Sequence, residues 1–248
     1  KQAAIEIERL LKFPGFLKRD SFAKGRVEIV ELRVDERSRL CNVALSELNR
    51  VIKCRVLVCA VLRRGDVVAP DGSFVLREGD RIFVTASTES LATLLDNLGI
   101  ITKKVNHVMI CGGGRVSYYL AQQLEKDGMT VRLIEKDPKH CEELAALLPK
   151  TEIINDDASN TFVLKRENLE SCDALVTATG MDELNMIISL YGTKHGVSQV
   201  ITKLGHMENG SMIDQLPIGS TIWPKDLCCN GIVRYIRAMH NQTGAAVS

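Results

Sequence analysis

The sequence lacks a long apolar run and lacks a charge bias. Its longest uninterrupted apolar run covers residues 56–62, whereas a membrane-spanning helix needs about 20 apolar residues. The 32 basic and 31 acidic residues leave a formal net charge of +1, so long-range electrostatics does not favour nucleic acid as a partner. We therefore expect no nucleic-acid binding, and only a peripheral role at any membrane.

Several patterns of catalytic and metal sites are also missing. The eight cysteines form no C-x-x-C pair, and no histidine lies at zinc-finger spacing from them. Neither a P-loop nor a recognisable Ser/His/Asp set is present. Because most of the cysteines lie in apolar runs, we expect reduced thiols in the protein core. The adjacent Cys228 and Cys229 leave a redox role open as an alternative.

Residues 103–225 alternate between short apolar runs and helical periodicity. This alternation is typical of a parallel sheet with helices on both faces. It predicts an α/β fold of the Rossmann-like, doubly wound kind, whose ligands bind beyond the carboxyl ends of the strands. The expected strands cover residues 108–111, 131–135, 152–155, 174–178, 199–202 and 221–223.

Three glycines after the first of these strands are the most informative motif. Gly112, Gly113 and Gly114 end an apolar run, and a helical segment over residues 116–126 follows at once. Glycine lets backbone N–H groups approach a pyrophosphate, and a helix N-terminus attracts its negative charge. Ser117 occupies the position of the third glycine in the G-x-G-x-x-G pattern. The motif predicts dinucleotide binding; a purely structural glycine turn is the alternative.

A carboxylate at the end of the second strand supports a dinucleotide. Glu135 follows Gly112 by 23 residues, the spacing at which an acidic residue accepts hydrogen bonds from ribose hydroxyls. A 2′-phosphate about 4 Å from Glu135 would meet a repulsion of roughly 1–4 kcal/mol. This favours NAD over NADP, although Lys136 could turn toward a phosphate instead of remaining exposed.

Other polar groups follow the expected strands at the same edge of the sheet. Arg115 could cover a phosphate with its planar guanidinium, Asp157 could hold an adenine edge, and Lys203 could neutralise a phosphate. Asp157 could equally be a helix cap. The candidate nucleotide-binding residues are Gly112, Gly113, Gly114, Arg115, Val116, Glu135, Lys136, Asp157, Ala158, Thr179 and Lys203.

The remaining sequence predicts a second, smaller domain and two flanking helices. Residues 21–102 mix strand and helix patterns and are predicted to form an α+β domain, with a short helical piece at 42–48. Apolar stripes over residues 3–11 and 228–239 predict similar amphipathic helices. We expect segments 1–20, 21–102, 103–225 and 226–248 to be cut from a tandem array; two unrelated surface helices are the alternative.

Acid–base chemistry is poorly represented near the expected cleft. A dehydrogenase needs a proton donor or acceptor beside the nicotinamide, and of the histidines only His206 is placed to enter. We therefore expect a binding protein and not an enzyme. A NAD-dependent oxidoreductase with residues 21–100 as substrate domain remains the alternative.

These motifs together resemble the RCK (KTN) domains of the TrkA family. The resemblance to the nucleotide-binding RCK-N domain lies in residues 108–117 (VMICGGGRVS), 133–137 (LIEKD), 155–158 (NDDA) and 178–185 (ATGMDELN). Residues 77–84 (REGDRIFV) resemble the companion RCK-C domain. The resemblance implies a fragment that spans the first RCK-C and the second RCK-N domain of a longer chain.

The resemblance also implies a function. Members of this family are regulatory subunits of bacterial potassium uptake systems, lie in the cytoplasm on the inner face of the membrane, and bind NAD, NADH and often ATP or ADP. They form homodimers and rings, and they gate a membrane potassium channel or transporter. By position, Gly112, Gly114 and Arg115 would hold phosphates, Glu135 the ribose and Asp157 the adenine side, with Thr179 and Lys203 at the border. Ser117 departs from the family's glycine.

Overall fold

The structure, a computed structural model, describes residues 1–12, 18–22, 27–35, 38–98, 104–205, 213, 216–229 and 232–233. It divides into two units. Lys1–Glu8 group with Val105–Ser248, and Arg9–Lys104 form the second unit. The helix α1 (Gln2–Lys12) has residues in both.

The apolar runs of the first unit form one sheet of six parallel strands. In the order β11-β10-β9-β6-β7-β8, neighbouring strands are all parallel. This confirms the predicted doubly wound α/β fold. The strands are β6 (His107–Cys111), β7 (Thr130–Glu135), β8 (Thr151–Asn155), β9 (Ala174–Thr177), β10 (Gln199–Lys203) and β11 (Ser220–Ile222).

A continuous apolar run explains why the central strand β6 is buried on both faces of the sheet. Successive residues of a strand point to opposite faces, and all four residues from Val108 to Cys111 are at most 1% exposed. The helices α4 (Arg115–Lys126), α5 (Pro138–Leu147), α6 (Thr161–Arg166) and α7 (Asp182–Lys194) connect the strands. Asp137 caps α5 by accepting from Lys139 N–H, and Pro138 is its first residue.

The chain leaves the central strand β6 on one side and returns on the other. β7 and β8 extend the sheet in one direction, while β9, β10 and β11 extend it in the other. At the carboxyl ends, Cys111 pairs with Ile134 on one neighbour and with Thr177 on the other. The switch point therefore lies between β6 and β9, and the three glycines follow the end of β6 directly.

The second unit is built on a five-stranded antiparallel sheet. Its order is β1-β2-β5-β3-β4, with a core formed by one face of β2, β3 and β5 and by α2 and α3. The elements are β1 (Lys18–Phe22), β2 (Val27–Arg33), a 3₁₀ turn (Leu45–Glu47), α2 (Leu48–Ile52), β3 (Leu57–Arg63), β4 (Asp66–Val68), β5 (Arg81–Ala86) and α3 (Thr88–Asn97).

Here the sequence-based expectations were less accurate. The helical piece expected at 42–48 lies at Leu45–Ile52 instead, because the backbone of residues 42–44 pairs with the segment at 74–76. Neither β1 nor β4 was predicted. β1 is mostly charged or polar, and β4 has only three residues, all exposed.

The expected C-terminal helix is only partly described. Residues 224–229 and 232–233 are helical, and Ile232 is 59% exposed, whereas Ile236 and Met239 lie outside the described residues, as does His206. None of the described helices is long and apolar enough to cross a lipid bilayer. All eight cysteines are free; Cys111, Cys141 and Cys172 are buried, and Cys41 and Cys54 are partly buried against the core of the second unit. The expectation of core thiols was wrong for Cys59, Cys228 and Cys229, which are exposed.

Candidate functional site

A cleft of about 710 Å³ opens at the carboxyl ends of β6, β7, β8, β9 and β10. It lies at the switch point of the sheet, where doubly wound folds bind ligands. The glycine turn forms its floor between two halves. We call the residues contributed by β7, β8, α5 and the loops after β7 and β8 the β7 half, and those contributed by β9, β10, α7 and the loops after β9 and β10 the β9 half.

Gly112 joins the two halves. Its N–H donates to Ile134 O at 2.8 Å, and its φ of +98° lies in a region that side chains avoid. A Cβ there would lie 2.8 Å from Thr179 Cα. The backbone of the β9 loop thus approaches the turn closely, and only glycine permits that approach.

Gly114 has a different environment. It is the N-cap residue of α4 and makes no side-chain cap, it is exposed, and a Cβ there would meet nothing within 4 Å. The first N–H groups of a helix have no partner within the helix, and they carry partial positive charge. The turn therefore presents donors and open space on the side where Gly114 lies.

Glu135 forms a hydrogen bond with the middle glycine, Gly113. Its Oε2 accepts from Gly113 N–H at 2.7 Å, and its Oε1 accepts from Asp137 N–H at 2.9 Å. A Cβ on Gly113 would come within 2.9 Å of that same Oε2. Glu135 therefore positions the turn, a role in addition to the ribose contact that its spacing predicted. Each carboxylate oxygen keeps a further lone pair for a ligand.

His140 contacts the same glycine from the other side. Its Nε2 lies 2.9 Å from Gly113 O, and its Nδ1 lies 3.1 Å from Glu143 Oε2. The pKa of the imidazole is raised, first by the Gly113 carbonyl, then by Glu143, with Glu135 adding to the effect. The peptide groups on both sides of Gly113 are thus fixed by side chains of the β7 half.

In the β9 half, a neutral amide binds the N–H and the hydroxyl of Thr179. Its N–H and its hydroxyl both donate to Asn185 Oδ1, at 2.9 and 2.7 Å. Asn185, which is fully buried, also donates to Lys203 O at 3.0 Å. This amide therefore ties the loop after β9 to the end of β10.

Lys203 is the cation of the β9 half. Its Nζ donates to Thr179 O at 2.6 Å, and in the described part of the chain it forms no ion pair. Burial lowers the pKa of this ammonium, an effect that Asp182 partly offsets. Asp182 is bonded to Gly205 N–H and is not the N-cap of α7, which is Met181.

Two aspartates border the cleft beyond β8. The pKa of Asp157 lies below its usual value because Ser159 N–H donates to the carboxylate, and that of Asp156 is lowered by Asp157 N–H and by Arg166. Both carboxylates are ionised at neutral pH. Asp157 accepts within the turn that follows it and lines the cleft; the helix cap that its sequence position left open is wrong, because Asn160 caps α6.

The structure brings most of the candidate residues together. All of the predicted residues line the cleft except Arg115 and Val116, which begin α4 beside it. Ser117 is fully buried, and its hydroxyl has no hydrogen-bond partner among the described residues. The cleft also includes the residues Ile134, His140, Asp156, Ser159, Ala178, Gly180, Met181, Glu183, Leu184 and Ile187.

His140 is the principal residue that sequence reasoning missed as a cleft residue. The signal available was its position five residues after Glu135, in the first turn of a helix that begins beside the glycine turn. Whether that turn faces the glycines depends on how α5 packs on β7 and β8.

Two family models match the chain. The TrkA-C domain matches residues 29–99, and the TrkA-N domain matches residues 108–224. The Trk system potassium uptake protein TrkA of Haemophilus influenzae is 31% identical over 94% of this chain and 51% of that protein. A TrkA homolog of Archaeoglobus fulgidus is 30% identical over 98% of this chain and 55% of that protein. The chain thus spans about half the length of these curated relatives.

Solved structures share the fold. The GsuK channel bound to NAD has a TM-score of 0.63 at 16% identity, covering 96% of this chain and 43% of that one. The GsuK RCK domain has a TM-score of 0.59 at 16% identity, covering 90% of this chain and 48% of that one. With its TrkA-C domain followed by a TrkA-N domain, the chain belongs to the TrkA family.

Proposed function

We propose that the cleft binds an adenine dinucleotide, NAD or NADH, and that the chain is a nucleotide-sensing regulatory part of a potassium uptake system. In this proposal the protein lies in the cytoplasm at the inner face of the membrane, assembles as a homodimer or larger oligomer, and gates a membrane potassium channel or transporter. ATP or ADP would occupy the same cleft through their shared adenosine and phosphates.

The open glycine turn carries this proposal. Gly112 and Gly113 are packed against protein atoms, whereas Gly114 faces open space at the N-terminus of α4. A pyrophosphate fits such a place, because backbone N–H groups and the helix dipole both favour negative charge. Family membership supports the same ligand class, and one structure of similar fold, the GsuK channel, is bound to NAD.

The charges of the cleft suit the two ends of a dinucleotide. Glu135 and Asp157 offer carboxylate oxygens to ribose hydroxyls and to an adenine edge. Lys203 offers an ammonium without an ion-pair partner among the described residues, which a phosphate would complete. Arg115 does not line the cleft. It would contact a phosphate only if its exposed side chain turned toward the ligand.

Regulation requires that the ligand prefer one state of the assembly, because equally tight binding to both states shifts nothing. The C-terminal amphipathic segment predicted over residues 228–239 is our candidate for transmitting the change. Two of its apolar residues, Ile232 and Val233, are exposed. Replacing Ile232 with aspartate is expected to weaken self-association, which sedimentation would detect.

Calorimetry with NAD, NADH, ADP and ATP tests the binding proposal. Gly114→Asp places a carboxylate in the open space, and its φ of −63° accepts any residue, so the variant is expected to fold and to lose binding. If Gly114→Asp binds as well as the parent chain, the cleft assignment fails. Steady reduction of NAD by small alcohols or hydroxy acids would instead support the oxidoreductase alternative.

A further inference from the structure

The imidazole of His140 lies between two oxygens that can only accept hydrogen bonds. One is the carbonyl oxygen of Gly113, 2.9 Å from Nε2, and the other is a carboxylate oxygen of Glu143, 3.1 Å from Nδ1. A neutral imidazole carries one N–H and can serve only one of them. Both contacts are hydrogen bonds only when the ring is doubly protonated and therefore positively charged.

The surroundings of the ring favour that charge. Glu143 acts from its own helix and Glu135 from β7, while the glycine turn contributes only the Gly113 carbonyl. Among the described residues that line the cleft, the other cations are Lys136, which is exposed, and Lys203 in the β9 half. The side chain of His140 is 40% exposed and lines the cleft, so its charge is available to a ligand there.

The same ring also fixes the turn that would bind the phosphates. Gly113 N–H is held by Glu135, and Gly113 O is held by His140. The orientation of the peptide between Gly113 and Gly114 determines where the next N–H points, because a peptide unit is planar. His140 is therefore placed to affect both the charge of the cleft and the geometry of its donors.

We propose that His140 is a positioning and specificity residue of the nucleotide site, and that an anionic dinucleotide binds preferentially to the form in which this ring is protonated. This inference rests on the proposed nucleotide binding. As pH rises and the ring loses its proton, the neutral ring can still donate to Gly113 O. Its Nδ1 lone pair then faces Glu143, and the cleft loses one positive charge.

Binding is consequently coupled to a proton. The affinity for a dinucleotide decreases as pH rises through the pKa of His140, and binding at a pH near that value takes up a proton. The dinucleotide itself does not obscure the effect, because the phosphates of a pyrophosphate diester do not titrate between pH 6 and 8. NADH is the preferred probe for that reason, whereas the terminal phosphate of ATP titrates in this range.

Calorimetry of NADH with the intact chain at pH 6.0, 7.0 and 8.0 tests the inference. For the parent chain we expect the dissociation constant to rise roughly five- to tenfold across this range, the effect of one partly exposed charge. His140→Gln keeps an amide donor for Gly113 O but cannot titrate, so its affinity should vary by less than about twofold. Buffers of different ionisation enthalpy should reveal proton uptake with the parent only.

Glu143→Gln separates the charge of the ring from a merely structural contact. It keeps an oxygen for Nδ1–H and removes the negative charge, so the midpoint of the pH profile should move to lower pH while binding at pH 6.0 is retained. A profile that is unchanged in Glu143→Gln, or a pH dependence equal in His140→Gln and the parent, would overturn the role of His140. An absence of NADH binding at every pH would overturn the proposed function itself, and this inference with it.

Discussion

The two halves of the cleft are stabilised by different kinds of side chain. In the β7 half, titratable side chains form hydrogen bonds to the glycine turn: Glu135 accepts from Gly113 N–H, and His140 contacts the carbonyl oxygen of Gly113. In the β9 half, the neutral amide of Asn185 fixes the N–H and the hydroxyl of Thr179, and the ammonium of Lys203 donates to the carbonyl of Thr179. The β7 half should therefore respond to pH near neutrality, and the β9 half to the presence of an anion.

The largest effect is expected where the two halves meet. Gly112→Ala adds a Cβ to a residue with a φ of +98° and places it 2.8 Å from Thr179 Cα. The backbone of Thr179 cannot move aside as a flexible side chain can. We expect a loss of about 2–4 kcal/mol in the free energy of unfolding, measured by urea titration.

Gly114→Ala is the matched control for that variant. It adds the same methyl group in open space at an ordinary φ, and should cost less than about 1 kcal/mol at this N-cap. Equal losses in the two variants would contradict the close approach of the β9 loop to the turn.

Asn185→Ala tests the neutral connection of the β9 half. The change leaves Thr179 N–H and the carbonyl of Lys203 without this partner in a buried place. We expect a loss of about 2–3 kcal/mol. The control is Asn155→Ala in the β7 half, where an exposed amide donates to the carbonyls of Glu135 and Lys136 and water can replace it, so the loss should stay below about 1 kcal/mol. If Asn155→Ala lost as much unfolding free energy as Asn185→Ala, the difference between the buried and the exposed amide would be contradicted.

Lys203→Met should separate ligand binding from stability. Because burial opposes the charge of Lys203, an apolar replacement is expected to leave the unfolding free energy unchanged or higher, while NADH affinity falls roughly tenfold through loss of a phosphate contact. The control Lys136→Met removes an exposed charge of the β7 half, and should weaken binding by no more than about threefold.

The pH dependence of Lys203 has a defined sign. Its pKa in the folded protein is lowered, so between that value and the pKa of an unfolded lysine the unfolded chain binds more protons. Stability of the ligand-free protein therefore rises with pH in this alkaline window, while affinity for an anion falls. A parallel decrease of both with rising pH would contradict the assignment.

The same contrast explains how far the sequence could predict this molecule. Strands buried on both faces are continuous apolar runs, and those of the first unit lie within one residue of their predicted ends. β1 in the second unit, mostly charged or polar, gave no such signal. Gly112 and Glu135 could be found from their spacing, because the strand ends fix their positions. The contact of His140 with Gly113 O joins residues 27 apart in sequence. It follows from the packing of α5, and no local sequence pattern encodes that packing.

The smallest expected effect concerns the stability that His140 itself provides. Its pKa in the folded protein is raised, so the protonated ring stabilises the fold fully below the pKa of an unfolded histidine, about 6.5. This contribution is lost as pH rises through the raised value. The difference in urea midpoint between the parent and His140→Gln should accordingly be largest at pH 5.5 and shrink by pH 8.5. Because the ring is partly exposed, screening keeps the effect small, and a difference that stays constant over this range would mean that the two bonds to Gly113 O and Glu143 do not depend on the proton.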